Sequence, residues 1–577
     1  MTDWPPKNLL CYGDNLAFLK DFDDECVDLI YLDPPFNSQQ SYNVLFKEAT
    51  GTPAAAQIKA FEDTWRWDMA ANVAYTEIGT DRSMPTPLVE LMRTLMNFLR
   101  PSPMMAYLVQ MAVRLVQMHR VLKPTGSLYL HCDPTASHYL KVILDAIFGP
   151  RSFRNEVVWK RTTAHSDAKQ GRKGFGCLTD VIFYFTKSDD FVFNPQYGPY
   201  DERYLKKYGH VDSNGRHYRL DNLTGPGGAA KGNPEYEVMG VKRHWRYSKK
   251  KMERLIGEGR VVQTRPGSVP QYKRYLDEMP GRPVQNLWDD ISPINSQAQE
   301  RLGYPTQKPL ELLKRIVAAS SNPRDVVLDP FCGCGTTIDA VETLNREHPD
   351  QPPRRWIGID ITHLAINLIK HRLTRFDPAP EFDVVGEPAS TSGARALAQQ
   401  DPFQFQFWAL GLVGARPLGG KPRKGADRGI DGVRYFQDEQ RKGALVTKPM
   451  LVQVKSGKVK SGDVRDFVGT LTREKAEMGV FITLEKPTAA MKKEAASAEM
   501  YLSPWDNHHY PRVQLLTVEE LLADPHRPNP GCLQVPGGAG GPSVTLPRAQ
   551  KHRRKGTRQE ALDFEGTKGK PKKRRGK

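Results

Sequence analysis

Val327-Leu328-Asp329-Pro330-Phe331-Cys332-Gly333-Cys334-Gly335-Thr336-Thr337 joins a predicted strand, Val326–Asp329, to a predicted helix over 336–345. Glycines between a strand and a helix let the backbone turn tightly and approach a ligand closely. The helix beyond offers free N–H groups at its start. Asp360 ends the next predicted strand, about 30 residues on, where dinucleotide-type folds place an acid for ribose hydroxyls. The loop lacks the Lys-Ser/Thr pair of a P-loop, so a nucleoside triphosphate is not favoured. Cys332 and Cys334 have no partner Cys/His pair at zinc spacing, which argues against a metal there.

The same alternation extends in both directions. Apolar runs predict strands at 26–33, Ser127–Asp133, Asn155–Lys160, Val181–Thr186 and Trp356–Asp360. Helical spacing predicts helices over 104–122, 137–148, 309–320 and 362–373. Strands separated by helices imply an α/β, mainly parallel, doubly wound (Rossmann-like) sheet. Residues 188–295 lose the rhythm and read as an irregular insert rich in Gly, Pro, Tyr, Arg and Lys.

Asp33-Pro34-Pro35-Phe36 closes the first of these strands. Two prolines fix the chain and remove two N–H donors. An acid, outward carbonyls and an aromatic face remain. They can accept hydrogen bonds from an NH₂ group while Phe36 stacks on a planar ring. Read alone, the segment is equally a plain strand-ending turn. Paired with the glycine loop, it reads as half of a catalytic site.

These residues resemble the amino-methylating DNA methyltransferases that use S-adenosylmethionine. Asp-Pro-Pro-Phe is similar to their catalytic motif and Asp329–Thr337 to their cofactor loop. The order, catalytic motif first, is that of the β group. Thr306-Gln307-Lys308-Pro309 and Gly13-Asp14-Asn15 also match. The resemblance covers 1–190 and 296–375. It implies a flipped target base, stacked on Phe36, with its amine bound by the Asp33 carboxylate and the Pro34 carbonyl beside Pro35. It further implies that Phe331, Gly333, Gly335 and Thr336 pack around the cofactor near Asp329. Asp360 would bind its ribose, Asp14 would lie near its adenine, and Lys308 would face its carboxylate. An Asp in this motif goes with adenine more than cytosine, and the cytosine amine stays the alternative. The insert then becomes the target-recognition region, with Lys242, Arg243, Trp245, Arg246, Tyr247, Lys249, Lys250 and Lys251 as DNA contacts.

A second globular pattern spans about 399–524. Gly429-Ile430-Asp431-Gly432 precedes Leu451-Val452-Gln453-Val454-Lys455, a strand with Gln453 and Lys455 on one face. An acid followed by such a strand can build a Mg²⁺ site with a neighbouring ammonium. With Phe407-Trp408-Ala409 and Gly479–Thr483, the pattern resembles Mrr-like restriction endonucleases of the PD-(D/E)xK class. The resemblance implies Asp431 as metal ligand, Gln453 at the second strand position and Lys455 assisting the base. Gln453 departs from the usual acid, and Gln404 and Gln406 stand where that branch often has Glu. With one firm carboxylate, a DNA-binding unit without cleavage is the alternative.

The domain order expected is thus a catalytic half (1–187), an insert (188–295), a cofactor half (296–375), a linker (376–398), an endonuclease-like unit (399–524) and a disordered basic tail (525–577). Charge follows this order. Of the net +17 over 577 residues, 547–577 hold thirteen Lys/Arg against three Asp/Glu, and 151–300 hold 26 against 18. The other residues sum to −1. Double-stranded DNA is the expected partner for both basic segments, with solvated surface charge as the alternative for the tail. No stretch is apolar enough to span a membrane, the N-terminus lacks an apolar signal core, and seven scattered cysteines fit a reducing cytoplasm. A homodimer is compatible with this reading, and a protein or RNA methyltransferase is the competing class.

Overall fold

The computed structural model describes residues 5–35, 66–162, 175–295, 298, 300–302, 304, 306–417, 429–441, 444–523 and 532–536. Phe36, Gly425–Arg428 and, of the tail expected to be disordered over 525–577, all but 532–536 lie outside the described residues. Within 532–536, Leu533 packs into the core of the C-terminal unit and Gln534 bonds to Gln514, so that stretch is ordered.

The main sheet has nine strands: β1 (Asn8–Tyr12), β2 (Val27–Leu32), β3 (Leu122–Cys132), β4 (Phe153–Lys160), β5 (Thr179–Thr186), β6 (Leu287–Trp288), β7 (Val326–Asp329), β8 (Arg355–Asp360) and β9 (Phe382–Val385). Their order is β6-β4-β5-β3-β2-β7-β8-β1-β9. β5 runs antiparallel to both neighbours, and every other pairing in this sheet is parallel. The central strands are buried on both faces, as continuous apolar runs such as Val27–Leu32 require.

Helices cover both faces. On one lie α1 (Asn15–Asp21), α2 (Met69–Thr80), α3 (Thr86–Leu99), α4 (Pro103–Val121) and α5 (Ser137–Phe148), whose Leu19, Ile78, Leu88, Leu108 and Leu140 share one core with β2 and β3. On the other lie α6 (Leu310–Ser320), α7 (Thr336–Glu347) and α8 (His363–Leu373), whose Leu313, Ile338, Ile366 and Ile369 build the second core. The Rossmann-like reading therefore holds.

The sheet is joined at a switch point. β2 and β7 are adjacent, Leu29 beside Val327 and Ile30 beside Leu328, although about 300 residues separate them. Their carboxyl ends, with those of β8 and β1, form a contiguous row. That row is where ligands bind in open α/β sheets.

Two expectations need correction. The segment 376–398 is not a bare linker: it holds edge strand β9 and begins helix α9 (Thr391–Gln400). The insert is not irregular. Its strands include His217–Asn222 and Gln271–Tyr275, and Leu223, Val238, Trp245, Met252, Leu255 and Val261 form a small core of its own. Trp245 is therefore a core residue, while Lys242, Arg243, Lys249, Lys250 and Lys251 around it are exposed. Strands of two to six residues are too short for periodicity to register.

The C-terminal unit has its own sheet: β10 (Arg416–Pro417), β11 (Gly432–Arg441), β12 (Ala444–Lys455), β13 (Met478–Thr483) and β14 (Val513–Thr517), in that order. The β11–β12 hairpin is antiparallel and β12, β13 and β14 are parallel. Helices α10 (Pro402–Leu412) and α11 (Ser461–Arg473) cover its two faces. Among the described residues no helix is long and apolar enough to cross a membrane.

Candidate active site

Four strand ends surround one cavity of about 280 Å³. β2 delivers Asp33, Pro34 and Pro35, because the two prolines stop the strand at the edge of the sheet. β7 delivers Asp329 and the loop to Gly335. β8 delivers Asp360, and β1 delivers Gly13 and Asp14. The sequence-predicted residues of the cofactor half thus converge on one place; Phe36 lies outside the described residues.

The loop is held from several sides. Asp329 accepts from the Phe331 N–H (3.1 Å) and from the Thr337 hydroxyl. Asp360 accepts from the Gly333 N–H (2.9 Å) and from the Thr362 N–H and hydroxyl (2.8 Å each). Asn15 donates to the Pro330 carbonyl (2.7 Å), and Arg114 bridges Asn15 and Asp14 at 2.8 Å each. Gly333 and Gly335 both have left-handed φ (+50° and +74°). A Cβ on Gly335 would fall 2.6 Å from Ile369, so only glycine fits there. Behind the loop, buried Asp339 pairs with Arg372 and Arg375, and Arg372 donates to the Cys334 carbonyl (3.2 Å).

Burial sets the electrostatics. It pushes the Asp329 carboxyl up to about 7, with Asp33 and Asp360 adding like-charge repulsion, and pushes Asp360 up to about 6. Burial also raises both loop thiols, so Cys332 and Cys334 are poor nucleophiles. All seven cysteines are free.

At the catalytic turn, the Lys308 ammonium pairs with Asp33 Oδ2. Asp33 Oδ1 is buried and has no hydrogen-bond partner among the described residues. Lys308, expected opposite a cofactor carboxylate, thus sits against Asp33 while still lining the cavity. Beneath, Tyr31 meets His131 Nδ1 (3.0 Å) and His131 Nε2 meets Asp180 (3.3 Å). Lining residues not foreseen include Arg114, Tyr304, which stands 3.2 Å from where a Gly333 Cβ would be, and Gln404 and Phe407 from α10. The residues fit S-adenosylmethionine. Asp14, Asp33, Asp329 and Asp360 line the cavity against Arg114 and Lys308, an excess of acid suited to a sulfonium and to ribose hydroxyls.

In the C-terminal unit, Asp431 ends the approach to β11 and lies beside β12. Its Oδ1 accepts from Gln406 Nε2 (3.0 Å) and its Oδ2 from the Val454 N–H (2.6 Å). Gln453 is buried with Oε1 unpartnered among the described residues, and Lys455 lies two residues on along the same strand. Among the described residues no group of three His, Cys, Asp or Glu side chains is placed to hold a metal ion.

Residues 27–371 match the family model described as DNA methylase. That is more than half of the chain, and the chain belongs to this family. Residues 419–523 match the model described as NACHT-associated inactive restriction endonuclease 1. Among curated proteins, the chain is 32% identical over 306 residues to the type II methyltransferase M.EcaI of Enterobacter cloacae, covering 52% of this chain and 65% of that protein. It is 27% identical over 361 residues to the StyLTI Mod subunit, a type III restriction-modification enzyme of Salmonella typhimurium, covering 60% and 51%. It is 24% identical over 373 residues to the DNA adenine methyltransferase YhdJ of Escherichia coli, covering 65% and 84%. The chain thus spans less than two thirds of the length of the first two.

Proposed function

We propose that this chain is a site-specific DNA methyltransferase that moves the methyl group of S-adenosylmethionine to the exocyclic amine of adenine in double-stranded DNA. One observation carries this reading: Asp33 presents a buried carboxylate oxygen, unpartnered among the described residues, to the cavity that the Gly333–Gly335 loop and Asp360 also line. A buried acceptor without a partner is costly, and an NH₂ donor relieves it. When bound, S-adenosylmethionine supplies an electrophilic methyl group. Asp33 Oδ1 and the Pro34 carbonyl accept the amine's hydrogens, orienting the nitrogen lone pair towards that methyl. Lys308 keeps Asp33 in position. The N–C bond would form as the S–CH₃ bond breaks with its electron pair left on sulfur, and one amine proton would pass from the nitrogen to Asp33 and then to water. Such alignment supplies much of the acceleration in reactions of this kind. The name of the Escherichia coli relative supports adenine; the cytosine amine is the competing target.

The test is methyl transfer from labelled cofactor to genomic DNA by the full chain, followed by nucleoside analysis. N6-methyladenosine is expected. N4-methylcytosine would transfer the assignment to cytosine, and label confined to protein or RNA would overturn the reading.

We further propose that the chain serves a restriction–modification system in the cytoplasm and that its C-terminal unit engages DNA. Two readings of that unit differ. As a Mg²⁺ nuclease it would use Asp431, Gln453 and Lys455. As a binding module it would not cut. Two observations favour the second: among the described residues no second and third metal-ligating side chain joins Asp431, and the matching family is described as inactive. Mg²⁺-dependent cleavage lost in Lys455→Ala would restore the nuclease. A homodimer belongs to this proposal too, and sedimentation of the full chain tests it.

A further inference from the structure

Helix α10 stands between the two candidate sites. Its sequence, Pro402-Phe403-Gln404-Phe405-Gln406-Phe407-Trp408-Ala409-Leu410-Gly411-Leu412, is apolar nearly all round, the mark of a helix with neighbours on every side. Gln404 Oε1 accepts the His363 backbone N–H (3.1 Å), three residues beyond Asp360. That N–H can only donate, so it fixes which end of the amide faces α8. The Gln404 NH₂ has no hydrogen bond among the described residues, and its side chain lines the cavity. Phe407, one turn further, lines the same cavity and shares a core with Cys334 and Leu364.

Contact with α8 is close and specific. Asn367 donates to the Phe407 carbonyl (2.6 Å), and a Cβ on Gly411 would fall 2.1 Å from the Asn367 side chain. Gln406 meanwhile holds Asp431. One helix of three turns thus touches the cavity through Gln404 and Phe407 and the Asp431 cluster through Gln406.

We propose that the endonuclease-like unit is a working part of the cofactor site: Gln404 donates a hydrogen bond to the nucleoside of S-adenosylmethionine, Phe407 packs against its purine, and binding stiffens α10 together with the Asp431 cluster. This rests on the methyltransferase reading. Ring nitrogens and ribose oxygens are acceptors that an amide NH₂ complements, and an aromatic ring offers a flat apolar wall. A ligand that binds only the arrangement with α10 seated stabilises that arrangement. Gln404 and Phe407 act here as cofactor-positioning residues.

The probe is S-adenosylhomocysteine on the full chain, read by calorimetry and amide hydrogen exchange. Wild type should gain protection at 329–337 and also at 402–412 and 429–434. Gln404→Glu keeps the acceptor for the His363 N–H and removes the donor. It should weaken binding about five- to tenfold, the size of one lost hydrogen bond. Protection at 329–337 alone, with wild-type affinity in Gln404→Glu, would overturn this inference and leave the methyltransferase reading standing. No binding and no protection at 329–337 would overturn both.

Discussion

Asp33 combines two environments in one carboxylate. Oδ2 faces an ammonium, and Oδ1 faces the cavity with no partner among the described residues. Asp33→Ala should therefore abolish methyl transfer while S-adenosylhomocysteine affinity, measured by calorimetry, largely survives; loss of that affinity would place Asp33 in the cofactor site instead. Asp360 is a different kind of acid. Burial raises its pKa to about 6, and its charged form is the better acceptor for ribose hydroxyls. Cofactor affinity should rise as pH increases through about 6 and then level off, and Asp360→Asn should flatten that profile. The sign for stability is opposite. Between the ordinary carboxylate range and about 7, Asp329 and Asp360 hold more protons folded than unfolded. Their contribution to unfolding free energy thus falls as pH rises through this window. Thermal melts of the free protein from pH 4 to 8 should show that fall, shallower in Asp329→Asn.

The glycine loop depends on the helix behind it. Asp339 on α7 is fully buried and pairs with Arg372 of α8 and with Arg375. Removing one partner of a buried pair strands the others, at about 3–5 kcal/mol. Asp339→Ala should lose that much in denaturant unfolding and lower cofactor affinity, since Arg372 also holds the Cys334 carbonyl. The elements that present the site were legible because each is a long apolar run or a strongly periodic helix: β2, β3, β7, β8 and α5 to α8. Strand β1 escaped because Asn8–Tyr12 is five residues long and follows two prolines. Helix α2 buries only Ala71, Ala74 and Ile78, too small a stripe to read. β9 escaped because Phe382–Val385 is short and alternates its burial among polar neighbours. In the site, Asp33, Asp329, Gly333, Gly335 and Asp360 were readable because each lies in a contiguous motif. Gln404 and Phe407 were not, because their place in the cavity follows from docking between two units. In the sequence both belong to the endonuclease-like unit, Gln404 where that branch often has Glu and Phe407 in the stretch that resembles it.

Across the whole chain, charge and chemistry are segregated. The exposed lysines of the insert surround a small core of its own, and none of them lines the acid-lined cavity. Lys249→Ala and Lys250→Ala should each reduce the slope of log affinity against log salt by about one if those lysines meet phosphates. Deleting 547–577 should change the slope only if the tail touches DNA, and an unchanged slope assigns its charge to solvent. Helix α8 carries a different consequence. Ile366 and Ile369 face the sheet, while Leu364 and Leu368 belong to the core of the C-terminal unit. The junction is thus a weld rather than a hinge. Cutting between the two units would expose the face of α8 that they share. A chain ending at 386 would bare an oily strip along α8 and should scatter light on heating well before the full chain does.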